Sequence, residues 1–213
     1  MNRVALVVVM LFALGSFAQA SSAQDRVELI VDVEGVHRQN GGAVSGAGSA
    51  YQPEFENGGG FGLGVNWHFS GRVSLEVKAA VLASDMSLRV EEGDFVALVD
   101  VGYVNMVPVT ALVQWHPFEK GSLRFYVGAG VAHVFIEDIE AEGLVPRTEF
   151  SNTTGLVVDA GLRIPMSKRW SFTGDARYIP VETSGTARFG PNGIEGNLDV
   201  RPLIVSFGLA YQF

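Results

Sequence analysis

The chemistry offered by this chain begins with charged residues set among apolar ones. Glu28, Glu76, Lys78, Arg124, Asp159, Arg163, Asp175 and Arg177 each stand in a run where every second residue is apolar and the charge falls between. Side chains two apart on an extended chain share a face, so these eight belong to one face of their segments. Both signs are present. In a closed interior such a set can neutralise itself as a salt-bridged plug, or it can select passing ions; the plug is the reading we adopt. Further along the same faces Leu82, Val157, Ile179, Val181 and Ile204 are apolar. They are expected to form a greasy cup above the charges that can hold a small hydrophobic solute, against the plainer reading that they fill a narrow interior.

Other arrangements carry less. The histidines are His37, His68, His116 and His133, and His68 with His116 is a conceivable metal pair. No H-E-x-x-H spacing supports it, and hydrogen-bonded imidazoles are the better account. Gly60-Phe61-Gly62-Leu63-Gly64 and Gly128-Ala129-Gly130 resemble dinucleotide loops, but no strand-to-helix context surrounds them. Asn152-Thr153-Thr154 fits a glycosylation acceptor by chance. No convincing Ser-His-acid trio stands out, and no catalytic residue, cofactor or metal site is expected. The absence of cysteine excludes disulfides, thiol chemistry and thiolate metal sites. A formal charge of -8, without a basic cluster, argues against a nucleic-acid partner.

Strands must position these residues. Period-2 alternation marks a first strand from Val27 that ends near His37, then Phe61 to Phe69, Val73 to Leu82, Val107 to His116, Leu123 to Ala132, Thr154 to Ile164, Trp170 to Ile179 and Leu198 to Phe213. In the last, Leu203, Val205, Phe207, Leu209, Tyr211 and Phe213 face one way, while Ile204, Ser206, Gly208, Ala210 and Gln212 face the other. Long connections are expected at 39–58, 83–104 (with a hairpin at Glu92-Gly93), 137–152 and 183–197, and short turns elsewhere. Eight strands alternating between long and short connections predict an all-β, eight-stranded antiparallel transmembrane barrel, with short periplasmic turns and long extracellular loops. The inner faces are mostly Gly, Ala, Ser and Thr, which suit a narrow lumen rather than a soluble exterior. Trp67, Trp115, Trp170, Tyr211 and Phe213, with Phe69, gather at the short-turn end as an interfacial aromatic girdle.

Arg3, the apolar run Val4 to Phe17 and the small residues at Ala18-Gln19-Ala20 and Ser22-Ala23 have the layout of a signal peptide over 1–23, cleaved after Ala20 or Ala23. Residues 24–213 are then the barrel, integral to a Gram-negative outer membrane.

Three stretches carry a family resemblance. Val107-Pro108-Val109-Thr110-Ala111-Leu112-Val113-Gln114-Trp115, then Leu123-Arg124-Phe125-Tyr126-Val127-Gly128-Ala129-Gly130, then Arg201-Pro202 through Phe213, resemble the outer membrane protein W (OmpW) family. The resemblance runs through the mature chain and implies a barrel linked to passage of small hydrophobic molecules. Arg201 stands where an acidic residue is expected, and Thr154 where the family commonly has tryptophan. The ending Gly208 to Phe213 looks like the signal read by the barrel assembly machinery, which with outer-membrane lipid and small hydrophobic molecules completes the expected partners. Two other functions compete: a structural or adhesive surface barrel acting through its loops, and a lipid-modifying enzyme.

Overall fold

The computed structural model describes residues 26–37, 44–46, 49–55, 57–92, 95–118, 121–136, 147–189 and 192–213, so the expected signal segment lies outside the described residues. Every helix or strand among them is a strand. In chain order these are β1 (Arg26–His37), β2 (Val44–Gly46), β3 (Ser49–Phe55), β4 (Gly58–His68), β5 (Val73–Glu92), β6 (Phe95–Trp115) and β7 (Arg124–Ile136). They continue with β8 (Arg147–Phe150), β9 (Thr153–Pro165), β10 (Trp170–Tyr178), β11 (Val181–Phe189), β12 (Asn192–Val200) and β13 (Leu203–Gln212).

The barrel is the circuit β1-β4-β5-β6-β7-β9-β10-β13, every neighbour antiparallel, closed where β13 pairs with β1. Closure leaves no strand edge to meet lipid unpaired, which is the condition for crossing a membrane with strands. Register holds the alternation in phase around the ring. Val31 lies opposite both Leu209 and Leu63, and Asp32 opposite both Gly208 and Gly62. The outward face is apolar and exposed, with Val33, Phe61, Val81, Val113, Val131, Leu156, Phe207 and Leu209 around the girth. That is the face a bilayer covers.

Glycine makes room on the inner face. A Cβ on Gly62 would meet the side chains of Asp32, Lys78 and Glu34, and one on Gly128 would meet Asp159 and Gln114. Two short turns share one device: Ser70 Oγ accepts from the N–H of Arg72 and Val73 at 3.2 and 3.1 Å, and Ser167 Oγ accepts from the N–H of Arg169 and Trp170 at 3.3 and 3.1 Å. Gly121, with φ of 140°, occupies backbone space that other residues avoid in the turn before β7.

The long connections differ from expectation. Residues 83–92 and 96–104 are not loop: β5 and β6 run on through them as paired strands, with a bulge between Met86 and Ser87, up to Glu92 opposite Phe95, where the hairpin was expected. β2 and β3 form a hairpin inside 39–58, and β3 pairs with the upper part of β5. β11 and β12 pair along their length across 183–197 and a little beyond it at both ends and, with β8, form a separate sheet. The terminal strand therefore starts at Leu203, and Leu198 belongs to β12. Beyond the bilayer both faces of a strand can be wet, so the hydrophobic alternation fades while the backbone ladder continues. Most of the expected connection at 137–152 lies outside the described residues.

Candidate functional site

The lumen is layered. At the short-turn end lies a cavity of about 560 Å³ whose lining includes Arg26, Glu28, His68, His116, Arg124 and Arg163. Arg163 Nη1 donates to Glu28, and its guanidinium carbon stands 5.9 Å from the Tyr126 ring centroid. His68 Nε2 is 3.2 Å from both Glu28 Oε2 and Arg163 Nη1. The His116 Nε2 instead meets Ser74 Oγ at 2.8 Å. The two imidazoles are 5.2 Å apart between ring centroids. Each Nε2 is engaged by other side chains, the arrangement of hydrogen-bonded lumenal histidines.

Above the cavity sits the charged layer. Lys78 Nζ lies 2.6 Å from Asp32 Oδ2 and 2.5 Å from Glu34 Oε1. Arg177 Nη2 pairs with Glu76 at 2.7 Å and with Asp175 at 3.3 Å, while its Nη1 donates to Thr110 at 3.2 Å. Gln114 Nε2 joins the acids by donating to Glu76 at 3.1 Å and Asp159 at 2.9 Å, and its Oε1 accepts from Asn66 at 2.7 Å. Ser206 donates to Asp175 at 2.7 Å. Glu76, Asp159 and Asp175 offer oxygens within 4.8 Å of one another, a spacing that could hold a cation, but the Arg177 guanidinium already bridges two of the three.

The apolar layer occupies the loop end. Leu82, Val157, Ile179 and Ile204 come together there, 0–2% exposed, with Val36, Ala80, Val104, Met106, Leu112, Val134 and Ile136 in one cluster. The side chain of Val181 lies outside the described residues. Beside this layer the ladder between β5 and β6 is interrupted: Ala79 pairs with Val109 and Leu82 with Met106, but Ala80 and Val81 have no partners across from Val107 and Pro108. Proline has no N–H to give. A second thin place is where β10 ends and β13 begins, spanned by the Ile179 N–H donating to Pro202 O at 3.2 Å.

Of the charges expected in the plug, Glu76, Lys78, Asp159, Asp175 and Arg177 meet in the charged layer, and Glu28 with Arg163 forms its lower edge. Arg124 does not join them. It is the first residue of β7, level with Arg163, and lines the mouth without an ion-pair partner among the described residues. Asp32 and Glu34 were missed as members although they share the inward parity of Glu28 on β1. Trp67, Trp115, Trp170 and Phe213 are exposed at the short-turn end, linked in part by ring contacts such as Trp170 to Tyr211 at 4.9 Å and Trp67 to Phe69 at 5.3 Å. Thr154 faces outward, where its Oγ1 meets His133 Nδ1 at 2.6 Å, so that position is not in the lumen.

The model of the OmpW family matches residues 27–213. Outer membrane protein AlkL of Ectopseudomonas oleovorans is 30% identical over 113 residues, 53% of this chain and 49% of that protein. The chain spans about half the length of the curated relatives it matches. Among solved structures, OprG from Pseudomonas aeruginosa superposes with a TM-score of 0.76 at 16% identity, covering 89% of this chain and 96% of OprG. AlkL in lipid bilayers gives 0.64 at 22% identity, covering 91% and 93%. The Escherichia coli outer membrane protein W gives 0.52 at 15%, covering 91% and 100%. At these identities the likeness to solved structures establishes the barrel fold.

Proposed function

Because the chain belongs to the OmpW family of Gram-negative outer-membrane barrels, we propose that it takes up small hydrophobic solutes from the extracellular side and releases them sideways into the membrane. The observation that carries this reading is the apolar layer standing directly beside the interrupted ladder at Pro108, with Leu82 and Met106 forming the next pair. A solute entering among Leu82, Val157, Ile179 and Ile204 gains by burial at about 25 cal/mol per Å² of apolar surface. Moving on into the charged layer would forfeit that gain and separate paired charges. The interrupted ladder between β5 and β6 offers the way out instead: parting the strands there breaks fewer backbone pairings and leads to lipid, where the solute stays apolar and no ion pair opens. The apolar layer is closed to solvent at rest, so binding means parting side chains held by dispersion alone. This function requires no catalytic group and no cofactor. We assign the C-terminal strand, ending Tyr211-Gln212-Phe213, to recognition by the assembly machinery.

Uptake into proteoliposomes tests the proposal. Wild type should speed entry of apolar solutes far more than polar ones, and Ile179→Asp or Ile204→Asp should reduce it while the barrel still folds. The second reading, a structural or adhesive barrel, draws on the strands that continue past the barrel in β5, β6, β11 and β12. Equal entry of apolar solutes with wild type, with either variant and with no protein would favour it and sink ours.

A further inference from the structure

The cavity at the periplasmic mouth lies on the far side of the charged layer and has no part in the uptake route. Among the described residues its lining contains three guanidinium residues, Arg26, Arg124 and Arg163, and one carboxylate, Glu28. That carboxylate is already engaged by Arg163 and His68. Arg26 and Arg124 have no ion-pair partner among the described residues. Arg163 is 4% exposed, yet its Nε and Nη2 have no hydrogen-bond partner, and neither does Arg124 Nε. Buried guanidinium donors left unmatched are costly, and a planar fork of this kind suits a carboxylate. The cavity wall is not wholly polar: Phe69 and Phe118 also line it, both more than half exposed.

We propose that this mouth is a binding site for a small organic anion, its carboxylate held by Arg124 and Arg26 with Arg163 behind them, and its apolar part against Phe69 and Phe118. The cavity volume of about 560 Å³ lies within the range typical of small-molecule sites. The site faces the periplasm, so its ligand comes from there and not through the apolar layer. Failure of the uptake proposal would leave it standing, and the reverse also holds.

Calorimetric titration of the refolded barrel in detergent micelles with benzoate, inorganic phosphate and benzyl alcohol separates the contributions. Benzoate carries both charge and ring, phosphate the charge alone, and benzyl alcohol the ring alone. Benzoate should bind most tightly, and Arg124→Gln and Arg26→Gln should each weaken it by about tenfold, the loss expected for a charge-assisted hydrogen bond. Both residues sit at the rim, and retained heat-modifiable migration of the variants would show that they fold. Phosphate binding as tightly as benzoate would overturn the organic part of the proposal, and benzyl alcohol doing so would overturn the anionic part. No benzoate binding, or binding unchanged in both variants, would overturn the site.

Discussion

The charged and apolar layers of the lumen stand on the same strands and use the same inward parity, yet they are held together by opposite means. In the charged layer each contact is directional: Lys78 answers Asp32 and Glu34, Arg177 answers Glu76 and Asp175, and Gln114 ties Glu76 to Asp159. Removing one member leaves another buried without its partner. In the apolar layer, Leu82, Val157, Ile179 and Ile204 touch neighbours that have no directional demand. They can part and repack at a cost that follows the area exposed. The lower layer is therefore a floor that resists opening and the upper one a packing that can admit a guest.

The comparison breaks first at Arg177. Replacing it by methionine keeps much of the volume but strands Glu76 and Asp175, and should cost about 3 to 5 kcal/mol, as for a buried pair that loses one partner. Urea titration of the barrel in lipid vesicles measures it. A neutral result would mean that the floor is not held by its ion pairs.

Both layers depend on the parity of every strand, and Val205 checks it on β13. Ile204 and Ser206 face the lumen and Val205 faces lipid. Val205→Arg should cost about 2 to 4 kcal/mol if it lies near the midplane. A neutral outcome in the same titration would exchange the two faces of β13 and take Ile204 out of the apolar layer.

That parity was legible in the sequence because lipid imposes it: Leu29, Val31 and Val33 must be apolar, so Glu28, Asp32 and Glu34 must be inside. Asp32 and Glu34 were overlooked as plug members although this rule placed them. What the sequence hid was the part beyond the bilayer. The stretch Ser84, Asp85, Ser87, Arg89, Glu91 and Glu92 reads as loop because no apolar solvent filters its outer face, but its backbone pairs through to Phe95. Pairwise geometry was equally out of reach. Alternation says that Arg124 points inward, not that it lies at the mouth below the ion pairs, and Pro108 announces a missing donor without showing that two residues on each side of the ladder go unpaired.

Gly62 sharpens the contrast at a smaller scale. A side chain there would collide with Asp32, Lys78 and Glu34 together, and charged groups fixed by mutual contacts have little freedom to move aside. Gly62→Val should cost about 1 to 3 kcal/mol by overpacking. Thermal unfolding of the variant beside Arg177→Met would show whether the floor is as tightly filled as it is tightly paired; an unchanged midpoint would show slack in it.

The smallest effect is expected at Arg124, where the boundary of the charged layer is decided. It shares the inward parity and the charge of Arg163 and Arg177, so a reading based on sequence alone gives all three the same weight. The structure separates them by partner. Arg163 is engaged with Glu28 and stands over Tyr126, and Arg177 bridges two carboxylates, whereas Arg124 lines the cavity at the mouth without an ion pair among the described residues. Arg124→Gln removes no counter-charge from the floor and keeps a polar head in the cavity. Its effect on stability should therefore stay within about 0.5 kcal/mol, the range of substitutions away from buried networks. The check is the same urea titration used for Arg177→Met. A loss approaching that of Arg177→Met would extend the charged layer down to the mouth and fill the cavity with structural ion pairs, leaving no free cationic rim for an anion to meet.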